Sequence, residues 1–170
     1  MVTIRPEGPD DIPAVRQVHE AAFPTSAEAD LVDRLRANGK AAVALVAEGD
    51  GRIVGHILFS PVTLEPPGGA VGFALAPVAV LHEYEHHGVG RRLVQNGLAE
   101  CHVQDAGFVV VLGEPAYYER FGFERASRHG LRSEYDAGDS FMVFELVSGA
   151  LPPSGTLVKY APEFANLKTA

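Results

Sequence analysis

Leu75-Ala-Pro-Val-Ala-Val-Leu-His-Glu-Tyr-Glu-His-His-Gly-Val-Gly-Arg-Arg-Leu-Val94 is the stretch on which the reading of this chain turns. Its first part, Leu75 to Leu81, is apolar and β-branched, as in a buried strand. A polar bend from His82 to His87 leads into Gly88-Val89-Gly90, and a helical pattern follows from Arg91 to Glu100. A strand that passes through glycines into a helix N-terminus offers an anion the free N–H groups of the first turn and a close approach to the backbone. The same residues contain His82-Glu83-Tyr84-Glu85-His86, which fits the zinc-protease pattern H-E-x-x-H. The two readings exclude each other.

The remainder of the chain weighs between them. At 170 residues one domain with a substantial core is expected. The single cysteine, Cys101, rules out an internal disulfide framework and suits a reducing compartment. No basic stretch followed by an apolar core opens the chain, and no apolar run approaches a membrane span, so a cytoplasmic protein is expected. A formal charge of −8 argues against general nucleic-acid binding, which needs a basic face.

From the N-terminus, Val2 to Arg5 reads as a strand. Asp10 or Asp11 can cap a first helix with Pro13 in its first turn, and Thr25 or Ser26 a second that stops at Gly39. Two helices directly after the first strand flank a site rather than cross a sheet. Ala42 to Glu48 and Arg52 to Ser60 form a hairpin around Gly49-Asp50-Gly51. After the central strand and long helix, Gly107 to Leu112 reads as a buried strand, parallel to and beside Leu75 to Leu81 in a βαβ unit. A short helix, Ala116 to Arg120, ends at Phe121-Gly122-Phe123. Leu131 to Tyr135 and Phe141 to Val147 are strands, and Thr156 to Tyr160 a short one. The predicted class is α+β, with a mixed sheet in a three-layer α/β/α arrangement.

This order and two motifs resemble the GNAT superfamily of acyl-CoA N-acyltransferases. The family's strand runs into Q/R-x-x-G-x-G/A at the head of the long helix; here the positions read Glu85-His86-His87-Gly88-Val89-Gly90. Its aromatic helix before a Gly-Phe pair is matched by Tyr117-Tyr118-Glu119-Arg120-Phe121-Gly122-Phe123. Residues 112–123 look like a subgroup of small bacterial members. The resemblance implies a GNAT N-acetyltransferase domain over residues 1–147, with 148–170 as a C-terminal extension packed on it.

It also implies acetyl-CoA as co-substrate, no metal, and direct transfer of an acetyl group to an amine acceptor in a ternary complex. Backbone N–H groups from His86, His87, Gly88, Val89, Gly90 and Arg91 would ring the coenzyme A pyrophosphate. Val78, Ala79 and Val80 would flank the pantetheine arm, with the Val80 N–H on the thioester carbonyl. Tyr118 matches the tyrosine that protonates the departing thiolate, and Glu114 or His82 at the strand ends are candidates for the base. Two departures stand out. Glu85 occupies a position that the family gives to Gln or Arg, and is expected to turn outward from the phosphates. Leu112-Gly113-Glu114 lacks the amide that many members place after the second parallel strand. Expected partners are acetyl-CoA and an amine, with neither nucleic acid nor membrane, in a monomer or homodimer. The acceptor pocket is expected from the first two helices and the Leu131 to Phe141 region.

The zinc reading needs His82 and His86 on one helical face. Pro77, the β-branched run before His82, and Gly88 and Gly90 after it disfavour a helix there. A non-catalytic acyl-CoA sensor on the same fold is the alternative from another class. Cys101 reads as a small apolar residue on the long helix.

Overall fold

The computed structural model describes residues 1–167, so the last three residues of the expected 148–170 extension lie outside the described residues. Strand β1 (Val2–Pro6) leads through a 3-10 turn at Pro9–Asp11 into helices α1 (Ile12–Ala22) and α2 (Ala27–Ala37). Asp11 stands at the N-cap of α1 as expected, but its carboxylate is used elsewhere: it accepts from the Gly8 N–H at 2.7 Å and from Arg5 at 2.7 and 2.9 Å. Strands β2 (Val43–Gly49), β3 (Arg52–Pro61), β4 (Thr63–Glu65) and β5 (Gly72–Val80) follow, then helix α3 (Val89–Val103), strand β6 (Phe108–Leu112) and the short helix α4 (Pro115–Glu119). The chain closes with β7 (Glu124–Arg125), β8 (Arg132–Ser133), β9 (Phe141–Glu145) and β10 (Leu157–Lys159).

Seven strands form one mixed sheet in the order β1-β2-β3-β5-β6-β9-β7. The hydrophobic residues divide by face. Val15 of α1 and Leu31, Val32 and Leu35 of α2 pack with Val46, Leu58 and Phe108 on one side. Val89, Leu93, Val94 and Leu98 of α3 pack with Leu45, Phe59 and Val109 on the other. This is the expected three-layer α/β/α arrangement, and the expected parallel pairing of β5 with β6 is present.

That pairing is short. It covers only Gly72 to Ala74 against Phe108 to Val110, although β5 runs on to Val80 and β6 to Leu112. The cause lies on the other side of β5. Leu75 faces Phe59 and Val78 faces Ile57, so two residues of β5, Ala76 and Pro77, stand opposite the single Leu58. This is a β-bulge, which bends the strand that carries the extra residue, and Pro77 has no N–H to give either neighbour. Beyond the bulge β5 stays with β3 and leaves β6, opening a gap in the middle of the sheet.

The ladder also decides which β5 donors face the gap. Leu81 donates to the Val54 carbonyl at 2.8 Å. In an antiparallel pair successive residues point their N–H groups to opposite sides, so with Val80 opposite Gly55 and Val78 opposite Ile57, these two N–H groups point away from β3. The Ala79 N–H points toward β3. The expected contact set Val78, Ala79 and Val80 thus divides into two gap-facing donors and one directed into the ladder.

One strand expectation changes, and two short strands were not anticipated. Leu131 to Tyr135 contributes only the two residues of β8, and these lie outside the main sheet, parallel to β10, which also pairs with β4. Gly130 with φ 70° turns the chain before β8, and the Ser133 Oγ accepts from the Tyr135 N–H at 3.0 Å, ending extended pairing. Strands β4 and β7 have too few residues to leave a hydrophobic period in the sequence.

Under α1 and α2 a polar chain crosses the core. Arg36 donates to Glu7 at 2.7 Å, His56 Nε2 lies 3.0 Å from the same carboxylate, and His56 Nδ1 lies 2.8 Å from His19 Nε2. The His56–Glu7 approach is bent, leaving Nε2 without an in-line hydrogen bond. A carboxylate only accepts, so the His56 proton belongs on Nε2 and His19 donates from its own Nε2. Both rings are completely buried. Burial pushes His19 down to about 3, helped by His56 and Arg36, and burial lowers His56 as well. Burial alone would raise Glu7, but the close approach of His56 and the hydrogen bond from Arg36 bring it down to about 2.

The sign of the pH effect follows. Both histidines bind protons more weakly folded than unfolded, so stability falls as pH drops below the unfolded value of about 6.5. Glu7 contributes only below about 4.5, where carboxylates begin to protonate in the unfolded chain. Between pH 7 and pH 5, urea unfolding should therefore show a loss of roughly 1–2 kcal/mol from His19 alone. The His19→Gln, His56→Gln double variant should lose most of that slope. A flat profile in the unaltered protein would mean that the pair ionises within the folded state.

Candidate active site

Helix α3 begins at Gly88, whose φ of 79° places it in the left-handed region where glycine is favoured. His86 is also left-handed, with φ 63°. These two turns curl the chain ahead of the helix, and no side chain caps the helix at Gly88. Val89, Gly90 and Arg91 have no intrahelical acceptor for their N–H groups, because the Arg92 N–H makes the first helical bond, to Gly88. Free N–H groups at the positive end of a fifteen-residue helix are a seat for an anion.

This seat opens into a cleft of about 440 Å³ that also reaches Val80 at the end of β5. Of the residues expected from the sequence, Val80, His86, Gly88, Val89, Gly90 and Arg91 line it. Val78 packs against the α3-side core and Ala79 is buried; neither side chain borders the cleft, nor does exposed His87. Three residues join the cleft that the sequence reading did not place there: Tyr84, Tyr117 and Arg120. The Arg120 guanidinium lies 4.7 Å from the centre of the Tyr117 ring. Burial pushes the Tyr117 phenol up, while Arg120 and Arg91, which line the same cleft, draw it down. The spacing of Tyr117 and Arg120 on one side of α4 was the signal available for them. Arg92 serves a different purpose, donating to the Val2 carbonyl at 2.6 Å and tying β1 to α3.

Tyr118 stands edge-on to Tyr117, with ring centres 5.0 Å apart, but does not itself line the cleft. It is buried, packs edge-on to Phe123 at 5.5 Å, and lies so close to Gly113 that a Cβ at that position would collide with its ring. Burial pushes its phenol up to about 12, with Tyr117 adding to the effect. Its hydroxyl makes no hydrogen bond among the described residues, yet it is not sealed in as the Tyr160 hydroxyl is.

Other candidates lie elsewhere. The His82 ring is almost fully exposed and sits 3.2 Å from the carboxylate of Glu85, which is itself one of the residues lining the cleft. Glu114 is exposed at the N-cap of α4, where its backbone carbonyl accepts from the Tyr117 and Tyr118 N–H groups at 3.1 Å. The H-E-x-x-H residues do not form a helix: a 3-10 turn covers His82–Tyr84, Glu85 is extended and His86 is left-handed. His82 and His86 therefore share no helical face. Cys101 is buried, which pushes its thiol up to about 12 and leaves it an apolar packing residue.

A second, apolar cavity lies at the β5–β6 gap, between Ala76 and Leu112 and the side chains of Tyr135, Tyr160, Phe164 and Leu167. The expected acceptor region contributes only Tyr135 to it. Helices α1 and α2 contribute none of its lining, and the C-terminal segment supplies half of it. Among the described residues no helix is long and apolar enough to cross a membrane.

Comparison with known proteins accords with this geometry. The family model described as an acetyltransferase (GNAT) domain matches residues 3–126. A protein of Escherichia coli K12 named as the uncharacterised N-acetyltransferase YhbS is 38% identical over 163 residues, covering 95% of this chain and 97% of that protein. The crystal structure of Escherichia coli YhbS in complex with CoA has a TM-score of 0.92 at 36% identity, covering 98% of this chain and 93% of that one. A GNAT family acetyltransferase from Brucella melitensis, in complex with acetyl-CoA, has a TM-score of 0.79 at 34% identity, covering 96% and 98%. With the family model spanning most of its length and two such structures sharing its fold, the chain belongs to the GNAT family of N-acetyltransferases.

Proposed function

We propose that the chain transfers the acetyl group of acetyl-CoA to an amine by direct attack in a ternary complex. The observation that carries this reading is the continuity of one surface. An uncapped helix N-terminus flanked by Arg91 and Arg120 opens onto the free edge of a strand that has parted from its parallel neighbour. The complexes of the two relatives with CoA and acetyl-CoA support the same assignment.

In this reading the N–H groups around Gly88 to Arg91 take the pyrophosphate. The two guanidinium groups supply positive charge in a protein whose formal charge is −8. The Glu85 carboxylate, engaged by His82, stays at the rim. The pantetheine arm lies along the open edge of β5 as an added strand, pairing with the gap-facing N–H groups of Val80 and then Val78. The thioester carbonyl then rests against the inner of these two donors, Val78, rather than against the Val80 N–H that the resemblance implied, and the contact strengthens as negative charge develops on the oxygen.

The amine in its neutral form attacks the thioester carbon, the carbon–sulfur bond breaks, the nitrogen releases one proton to solvent water, and the coenzyme leaves as a thiolate that takes a proton. Tyr118 is the donor in this reading. Held near 12, its phenol stays protonated across the neutral range. Full transfer to a thiolate whose ordinary value is about 8.5 is uphill, so the hydrogen bond to the developing thiolate carries most of the effect. Tyr117, beside the two arginines at the pyrophosphate end, serves binding instead.

Two results check the division of labour. Tyr118→Phe should lower kcat by about 100-fold with little change in CoA affinity, whereas Tyr117→Phe should act mainly on the KM for acetyl-CoA. Steady-state thiol release reads both, and the reverse pattern would move the donor role to Tyr117. The Arg91→Ala, Arg120→Ala double variant should weaken CoA binding by about tenfold or more in calorimetry, with the difference shrinking at high salt. An unchanged Kd would place the diphosphate elsewhere.

A further inference from the structure

We propose that the apolar cavity at the β5–β6 gap is the acceptor subsite, and that it takes a short uncharged substituent of a primary amine rather than a second cationic group. The proposal rests on the transferase reading above and adds the class of amine. Ala76 and Leu112, at the cavity's rim, lie beyond the last paired residues of the two strands, Ala74 and Val110. The cavity therefore adjoins the place where that reading puts the thioester.

Its walls are rings set edge to face. Tyr135 and Tyr160 lie 5.8 Å apart at 80°, and Tyr160 and Phe164 lie 5.1 Å apart at 89°. Rings locked against one another in this way make a rigid box. Its volume is about 110 Å³. A dry apolar cavity of about 150 Å³ holds benzene, so this one suits a branched or linear group of roughly four or five heavy atoms.

Charge decides between occupants. None of the lining residues is acidic. The Glu134 carboxylate lies outside this lining: the residue is exposed, and one of its oxygens accepts from the Tyr160 backbone N–H at 2.8 Å. An ammonium group in the box would lose its water without gaining a counter-ion, at a cost of several kcal/mol. Attraction to ring faces returns only about 0.5–2 kcal/mol. A neutral group meets no such penalty and buries apolar surface against three rings.

The Tyr160 hydroxyl supplies one polar contact. It is completely buried and finds no partner among the described residues. A buried unpaired hydroxyl destabilises a fold, and a ligand atom that pairs with it reverses the loss. Burial pushes this phenol far up, and Tyr135 and Tyr118 add to the effect.

The test uses the full chain saturated with CoA, with amine binding followed by calorimetry and thiol release from acetyl-CoA followed in parallel. The probes are 3-methylbutylamine, 4-amino-1-butanol, hexylamine and cadaverine. Both short neutral amines should bind the CoA-loaded protein and exceed cadaverine in kcat/KM by about tenfold or more. Ala76→Leu, which fills the cavity, should lower kcat/KM for both by about tenfold while the Kd for CoA stays within about twofold. Should that variant fold poorly, Phe164→Ala enlarges the box and should shift preference toward hexylamine. Tyr160→Phe should raise Tm, spare 3-methylbutylamine, and weaken 4-amino-1-butanol by about fivefold. Cadaverine equalling the neutral amines, failure of both short amines to bind the CoA-loaded protein, or indifference to both cavity variants overturns the proposal while leaving the transferase reading in place. Failure of the unaltered protein to bind CoA removes both.

Discussion

One mismatch in a strand ladder shapes the chemistry of this protein. Ala76 and Pro77 of β5 stand opposite Leu58 of β3, and the resulting bend takes β5 away from β6 after only three paired residues. A continuous central sheet would direct every β5 N–H into a neighbouring strand. The bulge leaves the Val78 and Val80 donors facing an open edge, and it makes room at Ala76 and Leu112 for a cavity. Proline is tolerated at this central position because a bulged residue owes no ladder bond.

The second constraint is electrostatic. A chain with a formal charge of −8 has to present a positive surface wherever a diphosphate is to sit. It does so with few groups: free N–H donors at the start of α3, Arg91, and Arg120 brought over from α4. The acidic group nearest this seat, Glu85, is engaged by His82 rather than removed. In the proposed reading backbone donors carry most of the recognition, and His-His can then stand between Glu85 and the glycines without loss of the seat.

Buried polar groups mark the other side of the sheet. The Arg36–Glu7–His56–His19 chain links its polar groups to one another, although His19 Nδ1 and the bent His56 Nε2 have no hydrogen-bond partner, and it lies in the core beneath α1 and α2. Tyr160 differs. Its hydroxyl is buried alone in a wall of rings, next to the gap rather than beneath the helices. A polar group without a partner is costly to keep in a structural core and useful in a binding pocket. The two clusters therefore lead to different conclusions although both are buried.

Much of this was legible in the sequence, because local patterns carry it. The β-branched run, the glycines before a helical pattern, and the aromatic helix before Gly122-Phe123 establish the strand-turn-helix, the βαβ unit and the family resemblance. Pro77 and the glycines likewise break the H-E-x-x-H run before it can become a helix. Tertiary structure alone decided what depends on partners distant in the chain. Which of Val78, Ala79 and Val80 has a free N–H depends on the register with β3. Whether Tyr117 or Tyr118 faces the arginines depends on how α4 lies against Gly113 and Gly90. The cavity wall formed by Tyr135 and Tyr160 depends on β10 docking beside β8. Period and propensity are properties of neighbours along the chain, whereas register, facing and enclosure arise only when separate segments pack together.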